Sequence, residues 1–128
     1  MRHKSQWLVD KRVLLVSYTG DVDKAELQAI NAELTDYVEE GITPIHIISD
    51  NREMGSIPLD VKTLQNSFGV LNNRKWGMIC VVGADTMLRF FVQVVSSSFR
   101  LKKVIIVTSV DEASQKIMAY DSTLEPIA

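Results

Sequence analysis

Apolar residues along this chain recur with two different periods, and the switches between them mark the elements. Gln6–Val9 and Val13–Tyr18 are short β-prone runs separated by the polar Asp10-Lys11-Arg12. A connection of that length between two such runs predicts an antiparallel hairpin. The second run is nearly continuous in Val and Leu, as expected of a strand covered on both faces. After Thr19-Gly20-Asp21, apolar residues at Leu27, Ile30, Leu34, Tyr37 and Val38 recur at threes and fours, which places them on one helix face. Asp23 with Glu26 reads as the capping box of that helix, and Gly41 as its stop. Pro44 then opens a third strand, Ile45–Ser49, and the polar tract Asp50–Ser56 is the expected loop at its end.

The back half repeats the alternation. Pro58 opens a segment whose stripe runs Val61, Leu64, Phe68 and Leu71, weakened by Gly69 and ended by Asn72-Asn73. The apolar run Trp76–Val82 reads as a buried strand. Asp85 or Thr86 caps a helix containing Met87, Leu88, Phe90, Phe91, Val92, Val94 and Val95. That set is wider than one stripe, so the helix is either deeply packed or meets a second partner, such as another subunit or an apolar ligand. Val104–Thr108 is the last strand, and Ser109 with Glu112 makes a capping box for a helix with Ala113, Ile117, Met118 and Tyr120 on one side. Strands alternating with helices require parallel pairing, because a parallel connection must be long enough to cross back over the sheet. The order ββαβαβαβα thus predicts an α/β fold with a mixed, mostly parallel sheet of about five strands and about four helices. A chain of 128 residues suits one domain spanning its whole length.

Composition narrows the function classes. The chain is 46% hydrophobic and 23% charged with a net charge of -2, ordinary for a soluble globular protein and a poor match to phosphate backbones. Arg100, Lys102 and Lys103, interrupted by Leu101, read as a solvated loop, so no nucleic acid is expected. No run approaches the roughly 18 apolar residues of a membrane span, and no signal-like leader follows Met1. Cys80 has no possible internal disulfide partner and lies among Met78–Val82 as a small buried hydrophobe. These features predict a cytoplasmic protein.

Candidate chemistry is sparse. His46 alternates with Ile45 and Ile47 inside a strand, the setting of a structural histidine, and His3 falls in an expected frayed terminus. A buried Cys80 would have its thiolate disfavoured, the reverse of a nucleophile. Gly83-Ala84-Asp85 falls short of a Gly-rich phosphate loop. Asp50 and Glu53 lack a third metal ligand nearby. The residues therefore predict no enzyme, cofactor or metal. Asp50, Arg52 and Glu53 are the candidate partner-docking loop, since loops at the carboxyl ends of parallel strands commonly bind. Met87, Phe90, Phe91 and Val94 are the candidate apolar ligand or dimer surface, and Phe68, Leu71 and Phe99 are the candidate further lining of a pocket.

Trp76-Gly-Met-Ile-Cys-Val-Val-Gly83, the apolar helix ending near Phe99, Lys103-Val-Ile-Ile-Val107 and Asp111-Glu-Ala-Ser-Gln-Lys-Ile117 together resemble the SpoIIAA-like family. That family belongs to the STAS group (sulphate transporter and anti-sigma-factor antagonist) and shares a fold with lipid-carrying CRAL-TRIO domains. The resemblance implies a module that regulates by binding a protein partner, with a lipid-like or other apolar ligand as the alternative. It also implies a phosphorylation point in an Asp-Ser-Ser-Gly type sequence at the start of the helix after the third strand. Here Ser56 stands nearest the expected serine, with Gly55 in place of the acid, Ile57 in place of the second serine and Pro58 in place of the glycine. Ser56 also reads as a cap-like loop residue before Pro58.

Overall fold

A computed structural model describes residues 3–58, 60–67, 69–83, 86–99 and 101–124, excluding the side chains of 61, 64, 67, 86–88, 91 and 98. Its elements are β1 (His3–Val9), β2 (Val13–Gly20), α1 (Lys24–Glu40), β3 (Ile45–Met54), α2 (Val61–Ser67), a 3-10 turn (Gly69–Asn72), β4 (Trp76–Val82), α3 (Thr86–Ser98), β5 (Lys103–Val107) and α4 (Val110–Tyr120). The expected hairpin joins β1 and β2 antiparallel, and β2, β3, β4 and β5 follow in parallel in chain order. Right-handed crossovers that always advance in one direction leave every connecting helix on the same face. Accordingly α1, the 3-10 turn and α3 share one core layer with the sheet, including Leu27, Ile30, Leu34, Leu71, Val95 and Phe99. The opposite face is covered by α4, through Ala113 and Ile117 against Val13, Ile48, Cys80 and Val107, with Leu124 beyond the helix packed beside them.

Local chemistry explains the helix ends. Asp23 accepts from the Glu26 amide at 2.9 Å and Ser109 from the Glu112 amide at 3.0 Å, the two caps read from the sequence. Glu112 in turn accepts from the amide and hydroxyl of Thr108, both at 2.9 Å. Gly41 ends α1 in an extended conformation, because a Cβ there would run into the Ile45 side chain. Lys75 Nζ donates to the Val38 and Gly41 carbonyls at 3.0 and 3.2 Å, a cation at the negative end of the helix. Gly69 opens the 3-10 turn that carries Leu71. Phe68, from the same expected stripe, lies outside the described residues, as do Asp85 and Arg100.

A bulge shapes the start of β4 where it pairs with β3. The register advances two residues from Ile45 to Ile47 while β4 advances three, from Trp76 to Ile79. The extra residue frees the Met78 amide, which donates to His46 Nδ1 at 2.9 Å. A Cβ on Gly77 would lie 2.6 Å from His46 Cε1 and 2.7 Å from Nδ1, so only glycine admits the ring here.

Candidate functional site

The polar tract Asp50–Ser56, expected as a loop, is strand as far as Met54. β3 runs on to Met54 because Asp50 pairs with Ser17, Glu53 with Thr19 and Met54 with Gly20, the two strands shifting register between Ser17 and Thr19. The expected docking loop is therefore corrected to a strand extension. Polar residues are tolerated here because Arg52 and Glu53 are exposed and Asp50 is half-buried. Asp50, Arg52 and Glu53 are nevertheless brought together, with Ser17, around an open cleft of about 440 Å³. Arg52 grips Asp50 bidentately, Nε to Oδ1 at 2.9 Å and Nη2 to Oδ2 at 2.8 Å. The hydrogen bonds from Arg52 hold the Asp50 carboxyl below its ordinary range. An exposed pair of this kind adds little stability but fixes two side chains in one orientation. Gly83, at φ 98°, lets the backbone pass close to Arg52, where a Cβ would meet the Arg52 amide at 3.4 Å.

Ser56 follows on the same end of the sheet. It is exposed, its amide donates to Asp21 Oδ1 at 2.8 Å, and its carbonyl accepts from Val22 at 2.8 Å. The cap of α2 is Asp60, whose Oδ2 accepts from the Thr63 amide at 3.2 Å and its hydroxyl at 2.6 Å. The cap-like role read for Ser56 thus passes to Asp60.

The candidate apolar surface on α3 divides. Val94 is 9% exposed and belongs to the core, whereas Phe90 is 43% exposed; the side chains of Met87 and Phe91 lie outside those described. The α3 side chains that line a cavity are Val92 and Val95, which with Leu34, Leu71, Ile79 and Leu101 enclose about 60 Å³ between helices and sheet. Tyr18 and Ser49 supply its polar end, and burial pushes the Tyr18 phenol up to about 12 despite a hydrogen bond with Ser49. Phe99 is core and does not line this space.

Each buried titratable group is engaged structurally. His46 Nδ1 accepts from Met78, so the ring's proton sits on Nε2, which donates to Asp121 Oδ2 at 2.9 Å. Burial lowers the His46 pKa although Asp121 opposes it. Arg12 adds Nη2 to the same oxygen at 2.7 Å, tying the chain after α4 to the hairpin. Burial pushes the Cys80 thiol up to about 12, and its sulfur faces the Ala113 carbonyl at 3.9 Å.

His3 is a correction: it is not frayed but 7% exposed, on β1 against α1. Its Nδ1 meets Glu26 Oε2 at 2.5 Å and its Nε2 meets Glu33 Oε2 at 2.7 Å. Burial lowers its pKa, but the hydrogen bonds to Glu26 and Glu33 outweigh that and raise it overall. No sequence signal links residues 23 and 30 positions apart. Among the described residues no group of three or more His, Cys, Asp or Glu side chains is arranged to hold a metal ion, and no helix is long and apolar enough to cross a membrane.

A five-stranded mixed sheet with its crossover helices on one face and a lone terminal helix on the other is a SpoIIAA-like fold. The structure of the anti-sigma factor antagonist SpoIIAA in its unphosphorylated form matches 91% of this chain and 96% of its own, with a TM-score of 0.61 at 11% identity. An uncharacterised protein of the DUF3478 family with a SpoIIAA-like fold, from Shewanella loihica PV-4, matches 89% of this chain and 90% of its own, with a TM-score of 0.64 at 12% identity. At these identities the likeness concerns the fold. No protein-family model matches the chain, and no curated protein matches it by sequence.

Proposed function

We propose that this chain is a non-enzymatic regulatory module that binds a protein partner through the Ser17, Asp50, Arg52 and Glu53 cleft and the adjoining segment at Ser56. The observation that carries this reading is the cleft itself: charged side chains held in one orientation by paired strands, at the carboxyl end of a parallel sheet. The anti-sigma factor antagonist that shares the fold supports it by analogy. Ser56 is the position at which a phosphate would change this surface, through repulsion from Asp21. The engaged state of His46, Cys80 and His3 favours binding over catalysis, and the buried thiol suits a cytoplasmic setting.

The test is site-specific photo-crosslinking in the protein's own cells from position 53, with exposed Gln28 on α1 as control. The expected result is a discrete protein adduct at 53 that is absent at 28 and falls about ten-fold with Arg52→Glu, since reversing one charge of a docking contact is worth on the order of 1 kcal/mol. Identical adduct patterns from both positions would refute it. The apolar cavity favours a second reading, a small ligand. Its volume of about 60 Å³ fits a few heavy atoms, well below the roughly 300 Å³ and more of sites for larger ligands. Native mass spectrometry of gently purified protein would show such a ligand as a mass adduct, and would also report a second copy.

A further inference from the structure

The sheet has two free edges among the described residues, and they differ. β1 carries exposed Lys4 and Gln6 and is bent by an irregularity between Trp7 and Val9. β5 reads Lys-Val-Ile-Ile-Val, pairs on one side only, and borders an open groove of about 580 Å³. The groove is walled by Glu112, Lys116 and Tyr120 of α4 and touches both Ile105 and Ile106. Lys103, Ile105 and Val107 alternate onto the face that α4 shares, with Met78 of β4 beside them, while Ile106 packs on the other face, so the groove runs from the α4 face out to the free edge of the strand.

We propose that the free edge of β5 is a docking site for an extended, acidic segment of a partner protein, which adds as a further strand. The edge supplies unpaired main-chain groups, and the groove supplies the selectivity. Its cations are Lys103, placed 5.8 Å from the centre of the exposed Tyr120 ring, and Lys116. Its single carboxylate, Glu112, is committed to the Thr108 amide and hydroxyl. In a chain of net charge -2, this edge is therefore locally positive and complements acidic side chains. A lysine on an edge strand also discourages pairing with a second copy of the same edge. The inference is independent of the Asp50 and Arg52 cleft and does not stand or fall with it.

The test uses the full chain, isotope-labelled for amide NMR, titrated with a capped hexapeptide alternating glutamate and valine and with its lysine–valine counterpart. Saturable shifts are expected at 103–107 and along the 112–120 flank of α4 with the acidic peptide, weakened about ten-fold by Lys103→Glu with Lys116→Glu, which in turn favours the basic peptide. Both lysines are exposed, so the variant should keep the wild-type spectrum elsewhere. Should it not fold, the wild-type comparison decides: the acidic peptide must bind more tightly and weaken as salt is raised. Absence of shifts at millimolar peptide, shifts confined to other residues, or equal binding of both peptides would overturn the proposal. So would movement of the same resonances with protein concentration alone, which would assign the edge to a second copy.

Discussion

Asp121→Asn probes how the end of the chain is fastened to the sheet. The wild-type carboxylate accepts four hydrogen bonds, from His46 Nε2 at 2.9 Å and Arg12 Nη2 at 2.7 Å on Oδ2, and from Thr123 N at 3.0 Å and Oγ1 at 2.6 Å on Oδ1. Asparagine keeps one acceptor oxygen and presents N–H groups to donors on the other side, so two of these bonds are lost and the other two lose their charge. Hydrogen bonds to a charged group contribute about 1.5–3 kcal/mol each. If the retained oxygen faces His46 and Arg12, Thr123 turns to water and the net loss is about 2 kcal/mol, rising towards about 4 kcal/mol in the opposite orientation. For a domain of this length that lowers Tm by about 6–15 °C. The same contacts make the effect depend on pH. Burial raises the Asp121 carboxyl, but bonding by His46 and Thr123 and the charge of Arg12 bring it down to about 2 from 3.8. A group depressed in the folded state stabilises above its unfolded pKa, and that contribution is lost as pH falls through the folded value. The shift corresponds to about 2 kcal/mol. Urea denaturation of both proteins should therefore show a constant gap above about pH 5 that closes between pH 4 and 2. A gap under about 0.5 kcal/mol at pH 7, or one that persists unchanged to pH 2.5, would refute this account of the fastening.

The other predictions concern the opposite histidine, the bulge and α3. His3→Gln should cost about 1–2 kcal/mol at pH 6. Because the folded His3 pKa is raised, its contribution is complete below the ordinary value of 6.5 and is lost as pH rises through the folded value, so the cost should shrink by pH 9; a constant cost would sink the two-carboxylate clasp. Gly77→Ala should destabilise by about 2–3 kcal/mol in urea by driving a methyl into the His46 ring, and a neutral effect would show that the ring moves aside freely. Val94→Asp should cost more than about 3 kcal/mol, while Phe90→Asp should cost under about 1 kcal/mol. Equal effects on thermal unfolding would contradict the division of that helix into a core side and an open side.

The elements most readable from the chain were those whose signals are local. Asp23 and Ser109 cap their helices through groups three residues away, and Gly69, read as weakening the second helical stripe, opens a 3-10 turn that ends at Asn72. The apolar run at Trp76–Val82 is buried throughout, as a strand flanked on both sides and covered on both faces must be. Asp50, Arg52 and Glu53 misread as loop because aspartate, asparagine and arginine in sequence have no strand pattern. The partner strand β2 supplies the ladder that holds them, and an uncovered stretch of sheet lets them stay polar. The wide apolar set on α3 could not be divided by periodicity, since only packing against the sheet distinguishes Val94 from Phe90.

What the sequence determined by itself was the succession of strands and helices, and with it the parallel α/β class, because turn chemistry, capping and hydrophobic period act over a few residues. The tertiary structure alone decided which distant charges meet: His3 between Glu26 and Glu33, Arg12 and His46 on Asp121, and Ser17 beside Asp50 and Arg52. It also decided that α4 and Leu124 cover one face and that β5 is an edge strand among the described residues. Such pairings depend on strand order and register, which no local rule encodes, because the free energy that selects them comes from burying the whole sheet at once.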